Sequence, residues 1–313
     1  MMRYIFVLVL FSVSLFGQAH YSVEKVLSER PSKQKQGTLV YTVFENGDAR
    51  YEVVKQIDFD LPHYGFEIFA NGGLILTNAL EKDIEVYSSN GELLKLFDLG
   101  EFSADYEIPL FYAVDKNEAY FVLPDHQSKQ NLNIIVSSNG KIVSRFDTPF
   151  QQINGIAYSS NQKLAAISKI SWQGVKPLKE IVFLNKEGKI TNISEGAFSK
   201  GVFTDAGFWA MDKKEVRLVE PNGQTLFLEK NSGNKVYLDL LANEDDVYVV
   251  SSGIPVYKNG EYLSSALEII MFSGEEKSGS FTIEKELAFD RLELVALNPV
   301  VIDKKGKKIK IVM

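Results

Sequence analysis

The chain contains no cysteine among its 313 residues. This absence excludes disulfide bonds, thiolate metal sites, covalent haem attachment and lipidation of an N-terminal cysteine. A chain without cross-links must be held together by its own hydrophobic core. The length is sufficient for one large β domain.

Histidine is also scarce, with three copies. Only His63 and His126 lie near loops predicted to be functional, and two histidines are too few for a three-histidine metal site. The sequence has no nucleophile elbow, no phosphate-binding glycine loop and no zinc-ligand spacing. Nucleophilic and zinc-dependent catalysis therefore have no support in the sequence.

Positive charge is limited, since the formal net charge is −7. The one basic cluster is a short run near the C-terminus, residues 304–310. Because the chain continues as Lys307-Lys308-Ile309-Lys310-Ile311-Val312, we interpret these lysines as the solvated side of a strand. Because no extended basic patch is present, a nucleic-acid partner is not expected.

Only one long apolar run occurs, over residues 5–16. It follows Arg3 and precedes Gly17-Gln18-Ala19, a pattern that predicts a secretory signal peptide over residues 1–19 with cleavage after Ala19. An uncleaved anchor is the alternative, but the run is shorter than the roughly 20 residues that span a bilayer. We therefore expect a secreted or periplasmic protein with no transmembrane segment after cleavage.

Helical periodicity is almost absent, and short alternating apolar runs between turn residues dominate the chain. In residues 84–98, two such runs flank Asn90-Gly91, a dipeptide suited to the positive φ of a hairpin turn. A closely similar sequence motif recurs over residues 134–147. The predicted hairpin glycines are spaced 44, 49, 48, 35 and 51 residues apart, at positions 47, 91, 140, 188, 223 and 274.

A period near 45 residues with four strands per unit predicts an all-β fold, a β-propeller of four-stranded antiparallel blades. Residues 20–37 are predicted to be a flexible lead-in and residues 38–313 a single propeller domain. Five complete modules are followed by three C-terminal strands. We expect residues 50–59 to supply the missing outer strand, which closes a ring of six blades. Seven blades are the alternative.

The unit at residues 84–97 resembles the third and fourth strands of six-bladed propellers of the NHL-repeat type. The resemblance covers most of the mature chain as a pattern of strands and turns. It implies the propeller fold and a role as a binding platform. No catalytic residue is carried over by it.

Three connections between second and third strands are predicted to be long: residues 124–131, 169–179 and 253–266. In a propeller they share a face with the loops that join successive blades, and long loops often carry function. The last connection contains Asn259-Gly260 and predicts a protruding β-finger. Trp209 lies within a strand and is predicted to be in the core. The candidate binding residues on the loop face are His63, Tyr64, Tyr106, Asp125, His126, Trp172, Tyr257 and Tyr262.

These features favour an exported, non-catalytic binding or scaffold module. A protein in an envelope or extracellular assembly is the expected partner, with a carbohydrate or peptide as alternatives. The competing hypothesis is a propeller-type hydrolase or lyase with axial carboxylates or a metal. No cofactor is predicted. Ca²⁺ is the one candidate ion, since Asp60, Asp98 and Asp147 recur near outer-strand ends, although such carboxylates also cap turns.

Overall fold

The computed structural model describes residues 7–12, 19, 21–27, 36–58, 64–78, 83–98, 111–125, 130–149, 152–231, 233–243, 246–258, 260–295, 298–305 and 307–311. Within these ranges the regular structure consists of β-strands. In the described part of the chain, no helix is long and apolar enough to cross a membrane.

The chain divides into two compact units, Met1–Pro149 and Phe150–Met313. The first unit contains three four-stranded antiparallel sheets, each with its strands in sequence order. We number these sheets blades 1 to 3. Their strands are β1 (Val7–Ser12), β2 (Tyr21–Leu27), β3 (Gln36–Glu45) and β4 (Asp48–Asp58); β5 (Tyr64–Ile68), β6 (Leu74–Asn78), β7 (Asp83–Tyr87) and β8 (Leu93–Asp98); β9 (Phe111–Asp115), β10 (Glu118–Asp125), β11 (Gln130–Ser137) and β12 (Ile142–Thr148).

The second unit contains blades 4 to 7, of which the last has three strands among the described residues. A separate two-stranded hairpin interrupts blade 6. The strands are β13 (Ile153–Ser159), β14 (Leu164–Gln173), β15 (Lys176–Asn185) and β16 (Ile190–Glu195); β17 (Lys200–Thr204), β18 (Gly207–Met211), β19 (Glu215–Val219) and β20 (Thr225–Lys230); β21 (Lys235–Asn243), β22 (Asp246–Gly253), the hairpin β23 (Val256–Lys258) and β24 (Glu261–Leu263), β25 (Leu267–Ser273) and β26 (Glu276–Ile283); β27 (Phe289–Val295), β28 (Asn298–Asp303) and β29 (Lys308–Lys310).

The turn between third and fourth strands is the element that recurs most regularly. In blade 2, the amide of Gly91 donates to the carbonyl oxygen of Ser88 at 3.0 Å, and the amide of Ser88 donates to the carbonyl oxygen of Glu92 at 2.8 Å. Equivalent pairs of bonds close the turns of blades 3, 4 and 5. All six predicted hairpin glycines have positive φ, so the turn prediction is confirmed.

Buried aromatic and aliphatic side chains fill the space between blades within each unit. In the first unit, Tyr41 and Phe66 join the facing sheets of blades 1 and 2 in an edge-to-face contact of 5.3 Å between ring centroids. In the second unit, Trp209 is fully buried and packs against Phe272 at 5.1 Å. The prediction that Trp209 belongs to the core is therefore confirmed.

The predicted count of six blades is wrong, because the structure has seven. Residues 50–59 were expected to complete the last blade, but β4 pairs with β3 in blade 1. The hairpin of β3 and β4 is a blade in its own right because β1 and β2 add two strands to it. Seven blades, the alternative considered from the sequence, is the observed number.

The two strands that complete blade 1 come from segments that the sequence analysis did not assign to the propeller. Strand β1 lies inside the predicted signal peptide and pairs with β2 from Val7–Val26 to Ser12–Tyr21. Strand β2 lies inside the predicted lead-in, and its Tyr21 and Val23 are buried in the core of the first unit. The apolar run at the N-terminus has the residue types of a strand as well as those of a signal peptide.

Candidate functional site

A two-stranded ribbon extends beyond the four-stranded sheet of blade 4. Strands β14 and β15 pair along their full length to Gln173–Lys176, whereas β13 pairs with β14 only up to Lys169. On the other side, β16 pairs with β15 only up to Glu180. Residues 170–179 therefore form a projecting ribbon where a long loop was predicted.

The tip of this ribbon exposes apolar side chains. Val175 is 94% exposed and Trp172 is 63% exposed. Gly174 begins the turn with a φ of 63°, and space around it is open. Trp172 and Pro177 are cross-strand neighbours, so their side chains share one face of the ribbon. The ribbon thus presents a convex apolar tip.

A second projection, the finger, consists of β23 and β24 in the connection between β22 and β25. Tyr257 pairs with Tyr262 across the two strands, and their rings meet at 5.1 Å with an interplanar angle of 60°. Their side chains are 63% and 58% exposed. The β-finger that Asn259-Gly260 predicted is therefore present, and its most exposed feature is an aromatic pair.

The finger contacts blade 7 and the connection that leads into it, at its base through Ser264 and beside its turn through Lys258 and Glu261. Ser264 and Leu287 exchange two backbone hydrogen bonds of 2.8 and 3.0 Å. Lys258 Nζ donates to Glu286 at 2.6 Å, and Glu261 lies 3.9 Å from Lys305. These contacts fix the direction of the hairpin, so the tyrosine pair is presented in a defined orientation.

The ribbon and the finger account for Trp172, Tyr257 and Tyr262 among the predicted site residues. Tyr64 begins β5 and is half-buried against the core of the first unit. Asp125 ends β10, opposite Gln130. The remaining candidates, His63, Tyr106 and His126, lie outside the described residues.

A polar cluster in the first unit was not predicted. Glu67 lies on β5, and its surroundings raise the pKa of its carboxyl group to about 7 by burial. Burial and the charge of Glu67 raise the pKa of Tyr112 above its usual range. Tyr41 is fully buried and its hydroxyl has no hydrogen-bond partner among the described residues. Burial also lowers the pKa of Lys25, which donates to the carbonyl oxygen of Tyr64 at 3.5 Å.

Asp239 is a buried acidic residue of the second unit that bonds to three different strands. This buried carboxylate accepts hydrogen bonds from Lys200 and from the backbone amides of Leu240 at 2.9 Å and Leu292 at 2.8 Å. The donors come from β17, β21 and β27, the first strands of three successive blades. Because its acceptor sites are occupied by donors within the fold, Asp239 has a structural role.

No group of three or more histidine, aspartate or glutamate side chains is placed to hold a metal ion within the described ranges. Asp98 and Asp147, two of the three aspartates considered for Ca²⁺, sit on the exposed outer strands β8 and β12. Asp60 is outside the described residues.

No protein-family model and no curated protein sequence matches the chain. Solved propeller structures do match. A Kluyveromyces lactis Hsv2 variant, with its loop 6CD replaced by a Gly-Ser linker, has a TM-score of 0.55 at 8% identity, covering 90% of this chain and 85% of that one. The β-propeller domain of the Trilobed protease from Pyrococcus furiosus has a TM-score of 0.54 at 9% identity, covering 93% and 88%. The WD40 domain of Neurospora crassa Pan2 has a TM-score of 0.53 at 10% identity, covering 77% and 72%.

These similarities confirm the fold class. The chain is an all-β propeller built of four-stranded antiparallel blades, with seven blades in total. Sequence identities this low show shared architecture only.

Proposed function

We propose that this protein is an exported, non-catalytic β-propeller that binds a protein partner in an envelope or extracellular assembly. β-Propellers commonly serve as protein-binding platforms. The likeness of residues 84–97 to NHL-type repeats supports the same role. The signal-peptide pattern over residues 1–19 supports export.

The observation that carries this proposal is the finger with its exposed pair, Tyr257 and Tyr262. Tyrosine supplies a large contact area at a low entropic cost and is enriched at the centres of protein interfaces. The finger is held by backbone hydrogen bonds at its base and by ion pairs beside its turn, so little conformational freedom is lost on binding. Lys258 and Glu261 are each matched by an opposite charge, which leaves the aromatic pair as the main recognition feature.

Affinity capture from the native envelope tests this function. We expect the tagged protein to recover a defined partner, and we expect deletion of residues 254–265 to abolish that recovery. A variant with Tyr257→Ser and Tyr262→Ser should have the same effect while keeping the hairpin. Leu228→Ser is the matched control, since Leu228 is exposed on the outer strand β20.

Recovery of all partners at an unchanged level by the deletion variant and the double tyrosine variant would remove the finger from the proposal. Loss of recovery in the Leu228→Ser control as well would show that the effect does not arise at the finger.

A further inference from the structure

We propose that the projecting ribbon of blade 4 docks the second unit onto an anionic phospholipid membrane surface. This site is separate from the finger. It rests on the shape of the ribbon, its apolar tip and the distribution of charge between the two edges of the unit.

The ribbon itself is apolar at its tip and basic along its length. No acidic residue occurs between Ile170 and Lys179. Lys176 and Lys179 are exposed and form no ion pair with any of the described residues. Lys169, at the base, is neutralised by Glu180 at 2.9 Å. Tryptophan with neighbouring lysines is the combination that suits the interface between lipid headgroups and acyl chains.

Other lysines lie on the same edge of the second unit. Successive propeller blades are related by rotation, so the connections between second and third strands all emerge at one edge. In blade 5 this connection carries Lys213 and Lys214, and in blade 7 it carries Lys304, Lys305 and Lys307, all exposed. The same edge also carries the finger and the exposed Glu284 and Glu286 of the connection to blade 7. Asp212 and Asp303 on this edge accept backbone amide hydrogen bonds within their own turns.

The opposite edge of the unit has nearly balanced charge. It is formed by the connections between first and second strands and between third and fourth strands. These turns carry the exposed or half-buried carboxylates Asp205, Glu187, Glu220, Glu275 and Glu276, together with the exposed lysines Lys163, Lys186, Lys189 and Lys277. Excess positive charge is therefore confined to the ribbon's edge, which is the side that an anionic surface attracts.

Shape favours a membrane over a folded partner for this element. Among the described residues, Val175 is the most exposed large hydrophobic residue, and it lies at the end of a convex projection. A convex tip needs a complementary pocket in a protein partner. A lipid interface accepts such a tip without a preformed pocket. The finger differs because Lys258 is already paired with Glu286 and Glu261 with Lys305, so it offers little free positive charge.

Tryptophan fluorescence gives a direct test because the chain has two tryptophans in opposite environments. Trp209 is fully buried and Trp172 is 63% exposed. We expect vesicles of equal parts phosphatidylglycerol and phosphatidylcholine to shift the emission to shorter wavelength and to co-sediment with the purified protein. Vesicles of phosphatidylcholine alone should bind at least about tenfold more weakly, and added salt should weaken binding.

Charge reversal separates the two edges. Lys176→Glu with Lys179→Glu should weaken vesicle binding at least about tenfold. Lys186→Glu with Lys189→Glu changes the net charge equally on the opposite edge and should leave binding within about twofold. Trp172→Phe should abolish the fluorescence shift, since only Trp209 then reports, while retaining co-sedimentation.

Three results would overturn the proposal: no binding to anionic vesicles, equal binding to both vesicle types, or equal losses from the two charge-reversed variants. Binding to polyglutamate without binding to vesicles would also overturn it, in favour of an acidic protein partner. Tyr257→Ser with Tyr262→Ser should leave vesicle binding unchanged, so failure of the membrane site and failure of the protein-binding function are distinguishable.

Discussion

Asp239 illustrates how single residues hold adjacent blades together. Its carboxylate accepts hydrogen bonds from three strands, and its side chain is almost fully buried. Lys200 is half exposed, so its charge stays solvated when Asp239 is removed. The buried amides of Leu240 and Leu292 would lose their acceptor, at a cost of about 1–3 kcal/mol each. We therefore expect Asp239→Ala to lower the free energy of unfolding by about 2–4 kcal/mol in denaturant titration.

An exposed carboxylate provides the comparison. Glu276→Ala, on the outer strand β26, should change the free energy of unfolding by less than about 0.5 kcal/mol. A similar small change for Asp239→Ala would contradict the bridging role of Asp239.

Glu67 predicts a dependence of stability on pH. Burial raises its folded-state pKa from 4.5 to about 7, so the native state holds a proton that the unfolded state releases. The stabilisation is complete below pH 4.5 and is lost as the pH rises through about 7. Because one pKa unit corresponds to 1.36 kcal/mol, the loss is at most about 3 kcal/mol.

Glu67→Gln removes this ionisation while keeping the size of the side chain. We expect the variant to lose less stability than the wild type between pH 5 and pH 8, as measured by urea unfolding at a series of pH values. Parallel pH profiles for the two proteins would show that Glu67 does not titrate in this range.

The sequence predicts residues whose role is local and misses those whose role depends on distant partners. Gly91 needs only its own turn, and its positive φ was predicted from Asn90-Gly91. Asp239 depends on Leu292, 53 residues away in the chain. Glu67 raises the pKa of Tyr112 in the next blade. No spacing in the sequence predicts that these residues meet, because the packing of separate blades brings the two members of each pair together.

At the scale of elements, the recurrent hairpin turn is a structural requirement. Gly91 has a φ of 84°, and a Cβ added there would lie 2.7 Å from a ring carbon of Tyr51 in blade 1. Gly91→Ala should therefore combine backbone strain with a steric clash and cost about 2–4 kcal/mol in the free energy of unfolding.

Gly174→Ala is the matched control at the tip of the ribbon. Gly174 also has positive φ, at 63°, but has nothing within 4 Å of an added Cβ. Only backbone strain remains, so we expect a cost of about 1 kcal/mol by the same denaturant titration. Equal costs at the two positions would show that the contact with Tyr51 does not limit the turn.

The ribbon is an example of strands whose ends the sequence did not predict. Gly174 and Pro177 are loop residues by propensity, so residues 169–179 were predicted to form a loop. In the structure Pro177 pairs opposite Trp172 on a two-stranded projection. Proline is tolerated there because neither β13 nor β16 extends that far and no further strand needs its amide.

For the whole molecule, the repeat predicted the fold class but not the number of blades. The residues of β1 match a signal peptide and those of β2 follow directly after it, so neither was counted as part of a blade. A short apolar run fits both a signal peptide and a strand, and its pairing with β2 cannot be read from the residue pattern. Seven blades follow once these two strands join the hairpin of β3 and β4.

Export through a cleaved signal peptide would give the mature protein a defined N-terminal residue. If the signal peptide is cleaved after Ala19, the exported protein begins at His20 and loses β1 while keeping β2. We expect the intact mass of protein isolated from the envelope or the medium to correspond to residues 20–313. A mass that includes residues 1–19 would contradict cleavage and would leave β1 in blade 1.

Site-specific photocrosslinking tests the central claim, that the propeller binds a protein through its finger. A photoreactive amino acid would replace Tyr257 or Tyr262 in turn, with Leu228 on the outer strand β20 as the matched exposed position. We expect a discrete, saturable adduct with one partner protein from positions 257 and 262 and none from position 228. Absence of an adduct at both finger positions, or an equal adduct at position 228, would contradict the claim.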